Sequence, residues 1–120
     1  EFLEHCTGAT ISMELFPGST LQHEVEKAPP GKFCARAACH IFHALLEAMQ
    51  YIHRRSVVHR DVTTTNVLVS SDLKDVRLID FGISHRLDID GEMLDMRGTT
   101  DFLAPEVLLG MSVGSPCDIW

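Results

Sequence analysis

The feature that most constrains this chain is a pair of short valine-rich runs, Val67-Leu68-Val69 and Val76-Arg77-Leu78-Ile79. They are joined by the polar stretch Ser70-Ser71-Asp72-Leu73-Lys74-Asp75. β-Branched residues fit a pleated, half-buried surface, and a turn-forming stretch between two such runs reads as a hairpin. A hairpin brings its open ends together. Asn66 stands before the first run and Asp80 after the second, so an amide oxygen and a carboxylate face one place. Val57-Val58 reads as another short strand, followed by the loop His59-Arg60-Asp61-Val62-Thr63-Thr64-Thr65, which adds a second carboxylate. Taken singly these residues say little. Asp80-Phe81-Gly82 alone is an ordinary strand-ending turn, and His59 alone is more often a packed histidine than a catalytic one.

Their order says more. His59-Arg60-Asp61 with Asn66 five residues after the aspartate, then Asp80-Phe81-Gly82, then Ala104-Pro105-Glu106 resemble the H-R-D-x-x-x-x-N, D-F-G and A-P-E signatures of eukaryotic protein kinases. The stretch Gly98-Thr99-Thr100-Asp101-Phe102-Leu103-Ala104-Pro105-Glu106 is similar to the peptide-docking loop of the serine/threonine type. The resemblance implies an α+β, protein-kinase-like fold, present in part. Residues 1–16 would be the end of the small lobe and the hinge, and residues 17–120 the large lobe through the start of its central helix.

That resemblance implies phosphoryl transfer from ATP with Mg²⁺ to a protein substrate. Such chemistry needs positioning and charge neutralisation more than covalent help, and Mg²⁺ takes hard oxygen ligands. Asp61 would orient the acceptor hydroxyl as catalytic base, and Asn66 and Asp80 would hold the metal. Thr99 would hydrogen-bond Asp61 and favour Ser/Thr acceptors. Met13 would stand beside the adenine pocket. The Glu14 carbonyl and the Phe16 amide would bond the adenine edge, and Leu68 would form its apolar floor. His59 and Phe81 match members of a structural stack and Asp118 the residue that anchors it. Without the resemblance, residues 10–21 read only as a half-buried strand ending at a Pro-Gly turn.

Residues 32–54 read as the longest helix. Ile41, Leu45, Met49 and Ile52 recur at helical spacing, with Ala38, Phe42 and Leu46 widening the stripe. His40 and His43 stand three apart, but no further ligand completes a metal site, and a polar surface is the better reading.

Three departures from the family pattern matter. Thr63 stands where serine/threonine kinases carry a lysine that contacts the transferred phosphate. Thr65 stands where tyrosine kinases carry an arginine. Removing one such donor commonly costs roughly 10²–10³ in rate, so a slow or specialised enzyme is expected. Asp95 occupies the usual place of a regulatory phosphothreonine and is a candidate constitutive partner for Arg60, against the plainer reading of a solvated acidic loop.

At 120 residues the chain covers about the middle half of such a fold. The glycine-rich loop, the ATP-binding lysine and its helix glutamate are not in it, and the isolated segment is expected to be unstable and inactive. A net charge of −7 argues against nonspecific binding to nucleic acid or anionic membrane. The four cysteines show no C-x-x-C spacing, so a reducing, intracellular and cytoplasmic setting is the simpler expectation. No apolar run approaches a membrane span. The second function class is a pseudokinase, an ATP-sensing or protein-binding scaffold. It rests on Thr63 and on the phosphate-binding parts that lie outside this segment.

Overall fold

A computed structural model describes residues 2–5, 8–87 and 97–120. Among the described residues the strands fall into three small antiparallel sheets. β1 (Phe2–His5) pairs with β2 (Gly8–Ile11). β3 (Gly18–Thr20), β5 (Val67–Ser70) and β6 (Val76–Leu78) form a sheet with β5 in the middle, and β4 (Val57–Val58) pairs with β7 (His85–Arg86). Among the described residues the α-helices of four residues or more are α1 (Leu21–Glu26), α2 (Ala35–His53) and α3 (Pro105–Leu108).

The hairpin expected from the valine runs is present, with Val67 opposite Leu78, Leu68 opposite Arg77 and Val69 opposite Val76. The second strand stops at Leu78, one residue short of the expected end. The chain turns at Asp80, whose φ of 62° lies in the left-handed region. As the middle strand, β5 is covered on both edges. Its alternate residues Val67 and Val69 are fully buried and pack with Ile41 and Leu73. Burying each such side chain contributes about 1.5–3 kcal/mol. Gly18 lets β3 come this close: a Cβ there would lie 2.3 Å from the Val69 carbonyl oxygen.

The strand expected over residues 10–21 is broken into pieces. β2 ends at Ile11, Pro17 has no N–H to give a ladder, and β3 begins only at Gly18. Thr20 then caps α1, its Oγ1 accepting the His23 N–H at 3.2 Å.

The long helix starts at Ala35 rather than 32 and ends at His53. Lys32 is taken up in a turn, its N–H donating to the Pro29 carbonyl, and Cys34 is the extended N-cap. Ile41 and Met49 are buried, but Phe42 and Leu46 are 67% and 48% exposed, which corrects the wider apolar stripe. Positions 41, 45 and 49 drift only about 40° per step around a helix, whereas 42 and 46 sit about 100° away from that line.

A second core joins Val58, Ala104, Val107 and Val113, with Leu87, Leu103 and Cys117 against it. It fixes the residues following the docking loop to the strand that leads into the 59–66 loop. α3 starts with Pro105 at its first position, where the missing N–H costs nothing.

Candidate active site

The 59–66 loop is held from behind by one carboxylate. Asp118, whose side chain is fully buried, accepts the His59 N–H on Oδ2 at 2.8 Å and the Arg60 N–H on Oδ1 at 2.7 Å. Its Oδ2 also accepts from His53 Nε2 at 2.7 Å, at the last residue of α2. His59 is wholly buried. Its Nε2 bonds the Ile79 carbonyl at 3.0 Å, and its ring meets Phe81 edge-on at 4.7 Å. The structure thus uses His59 to tie the loop to the strand before Asp80, a packing role. Arg60 adopts φ 74°, and its guanidinium donates to the Ile83 carbonyl at 3.4 Å. The proposed Asp95 partner of Arg60 lies outside the described residues.

Asp61 sits where three segments meet. Its Oδ1 accepts both the Thr99 N–H, at 3.0 Å, and the Thr99 hydroxyl, at 2.7 Å. Its Oδ2 accepts from Asn66 Nδ2 at 2.8 Å, and the same amide donates to the Asp61 carbonyl at 2.9 Å. Burial alone would raise the Asp61 carboxyl. The hydrogen bonds from the Thr99 hydroxyl, the Thr99 N–H and Asn66 outweigh it, so the group sits below the ordinary aspartate value. Oδ1 is filled by Thr99, and Oδ2 retains an acceptor position for an incoming hydroxyl.

Both donor hydrogens of the Asn66 amide are directed at Asp61, so its carbonyl oxygen points elsewhere. Asn66 and Asp80 are brought together by the hairpin, where the Ile79 N–H donates to the Asn66 carbonyl at 2.9 Å. Asp80 is exposed, and its Oδ1 accepts the Gly82 N–H at 3.1 Å. An amide oxygen and an exposed carboxylate fit the donor set that Mg²⁺ takes.

Thr99 can reach Asp61 because Gly98 has no side chain. At φ 128°, a Cβ on Gly98 would lie 2.7 Å from the Arg60 carbonyl oxygen and 2.8 Å from Leu103 Cδ2. The docking loop therefore crosses the catalytic loop in direct backbone contact.

The hinge positions are more open. Met13 is 83% exposed and Glu14 is exposed, while Phe16 and Leu68 are half-buried. Phe16 lies under Arg77, its ring 5.7 Å from the guanidinium carbon, and its carbonyl accepts the Gly18 N–H.

Two features were not readable from the residue types. The hydroxyls of Thr63 and Thr65 bond each other at 2.7 Å, and Thr63 is nearly buried. The Gln22 N–H donates to the Thr64 carbonyl at 3.0 Å, tying α1 to the catalytic loop. Neither His53 nor Gln22 carries a local signal for a partner dozens of residues away.

The sequence matches the model of the protein kinase domain over residues 1–120. It is 33% identical over 118 residues to human mitogen-activated protein kinase kinase kinase 1, covering 92% of this chain and 8% of that one. To mouse sperm motility kinase 1 it is 38% identical over 111 residues, covering 92% and 22%. To ribosomal protein S6 kinase 2 beta of Xenopus laevis it is 32% identical over 121 residues, covering 98% and 19%. The chain belongs to the protein kinase domain family, and its fold is a partial kinase-like α+β fold. It spans less than a quarter of the length of each of these relatives.

Proposed function

We propose that the protein is a serine/threonine kinase, transferring the γ-phosphate of ATP to Ser or Thr hydroxyls of a protein substrate. The observation that carries this is the doubly held Asp61. Thr99 of the docking loop occupies one oxygen and Asn66 of the catalytic loop the other. In this reading residues 1–16 close the small lobe and form the hinge, and residues 17–120 belong to the large lobe. Met13, Glu14, Phe16 and Leu68 surround the adenine. The protein works inside the cell, where ATP is supplied.

The acceptor hydroxyl donates to Asp61 Oδ2. Its oxygen attacks the γ-phosphorus, and the bond from that phosphorus to the bridging oxygen of ADP breaks. A carboxylate held below its ordinary value is a weak base. Asp61 therefore contributes mainly by aiming the hydroxyl, and takes the proton late, as the phosphorus–oxygen bond forms. Asn66 and Asp80 would hold Mg²⁺, which neutralises phosphate charge when bound. Thr99 fixes the carboxylate's rotation, so the free acceptor position keeps one direction.

A pseudokinase reading is favoured by one observation, the Thr63–Thr65 hydroxyl pair at the positions of the family's phosphate-binding cations. The deciding experiment uses the full-length protein with Mg·ATP and mixed Ser, Thr and Tyr peptides. Transfer to Ser and Thr that Asp61→Asn abolishes is the expected result. Nucleotide binding without any Asp61-dependent transfer would replace the kinase reading with the scaffold one.

A further inference from the structure

The segment between β2 and β3, residues 12–17, contains no helix or strand. Its Glu14 carbonyl and Phe16 N–H are nonetheless the groups proposed to read the adenine edge. A backbone that must be ordered on binding loses affinity to that ordering, and one held beforehand does not. Little in the segment packs. Of residues 12–17, Phe16 alone is not exposed. An exposed side chain gives its backbone no fixed direction, so the Phe16 ring is the handle by which the hinge can be held.

Two residues seat that ring. The first is Gly18, where a Cβ would lie 2.5 Å from Phe16 Cε1, so the ring occupies space that any side chain there would fill. The Gly18 N–H also donates to the Phe16 carbonyl at 3.0 Å, closing a three-residue turn. The second is Arg77. Its guanidinium carbon lies 5.7 Å from the ring centroid, within the range in which an aromatic face attracts a cation. Arg77 stands opposite Leu68 in the β5–β6 ladder, so both are on one face of the sheet. Its Nη1 donates to the Val76 carbonyl at 3.3 Å. Among the described residues no carboxylate pairs with it, so its charge is left to the ring.

We propose that Arg77 is a positioning residue for the nucleotide: by holding the Phe16 ring it fixes the hinge backbone that reads the adenine. Leu68, the floor under the adenine, is its cross-strand neighbour, so one strand pair steadies both the floor and the edge of the pocket. Arg77 acts through Phe16 and touches no part of the nucleotide itself. Its effect falls on nucleotide affinity, because Asp61, Asn66 and Asp80 are held by contacts in which neither Arg77 nor Phe16 takes part. This role deepens the adenine-site reading and rests on it.

The test is a double-mutant cycle on the full-length protein, with Mg·ATP binding read by isothermal titration calorimetry. Arg77→Leu keeps an apolar stem and removes the cation. It should weaken ATP binding about three- to fivefold, the worth of a partly exposed cation–ring contact. Arg77→Lys keeps a cation beside the ring and should stay within about twofold of wild type. Phe16→Leu keeps the backbone N–H and removes the ring, and in that background Arg77→Leu should change affinity by less than about 1.5-fold. Partial unfolding would instead lower the number of sites titrated and act equally in both backgrounds. Wild-type affinity in Arg77→Leu, or an equal loss with and without the Phe16 ring, overturns the proposal. A wild-type protein that binds no ATP overturns the adenine-site reading and this role with it. Arg77-dependent ATP binding without phosphate transfer would sink the kinase reading and leave this role standing.

Discussion

Replacing Asp118 tests how the catalytic loop is held. The carboxylate accepts three hydrogen bonds shorter than 3 Å, two of them from backbone N–H groups of His59 and Arg60 that have their acceptor here. In Asp118→Asn one oxygen becomes an NH₂ donor. The least costly orientation turns that donor toward Arg60, because Oδ1 serves one N–H and a long contact from the Cys117 thiol at 3.9 Å, whereas Oδ2 serves two short bonds. One charge-assisted bond is then lost and one N–H is left facing a donor, about 2 kcal/mol of stability. Asp118→Ala removes both acceptor oxygens, and with them all three short bonds, from a buried site, and the loss should reach about 4 kcal/mol. Activity should fall further than stability implies. The Arg60 N–H bond holds a residue at φ 74°, a region that non-glycine residues leave when released. A shift of about 1 Å at the neighbouring Asp61 is enough to cost roughly 10² in rate. Urea denaturation and steady-state phosphorylation by the full-length variants would measure both quantities. If Ala and Asn are equally stable, within about 0.5 kcal/mol, the three-bond account is wrong, since two of the three bonds survive in Asn.

Other outcomes follow from the same geometry. Gly98→Ala puts a methyl 2.7 Å from the Arg60 carbonyl oxygen at φ 128°. It should cost about 1–3 kcal/mol of strain and lower kcat by tenfold or more, roughly, by lifting Thr99 off Asp61. Thr99→Val removes one hydroxyl donor, so the Asp61 carboxyl should titrate higher, read from its ¹³C resonance against pH; an unmoved midpoint rejects the assigned cause. Asp72 is lowered from 3.8 to about 2, chiefly by the Ser70 hydroxyl. Its contribution to stability is therefore complete above 3.8 and lost as pH falls through about 2. In Ser70→Ala its midpoint should return toward 3.8, seen by the same resonance method. Thr63→Lys should raise the transfer rate about tenfold or more by supplying a cation, at some cost in stability because it breaks the Thr63–Thr65 pair; an unchanged rate removes the electrostatic explanation.

The catalytic half of the fold was legible because its signals are local. The valine runs and the turn between them determine the hairpin, and the hairpin brings Asn66 and Asp80 together. The 59–66 loop and the glycine before Thr99 stand in fixed order along the chain. Less local features were missed. α1 has no buried residue, so no apolar period marks it, and its first signal is the Thr20 cap. The pairing of Gly18–Thr20 with Leu68–Ser70 joins segments about fifty residues apart, and nothing in either names the other. Phe42 and Leu46 misled because hydrophobicity gives a stripe its direction but not its width. The Thr63–Thr65 contact was hidden for another reason: two threonines two apart in a loop face each other only in one backbone conformation.

The Asp118 carboxylate also sets a clock. It lies 58 residues after the Arg60 N–H that it accepts. A ribosome adding about 5–20 residues per second needs roughly 3–12 s to make that stretch. Throughout that interval His59, Arg60 and Asp61 exist without the acceptor that fixes their backbone. A nascent chain therefore carries Asp61 for seconds before the carboxylate that holds its two preceding residues exists.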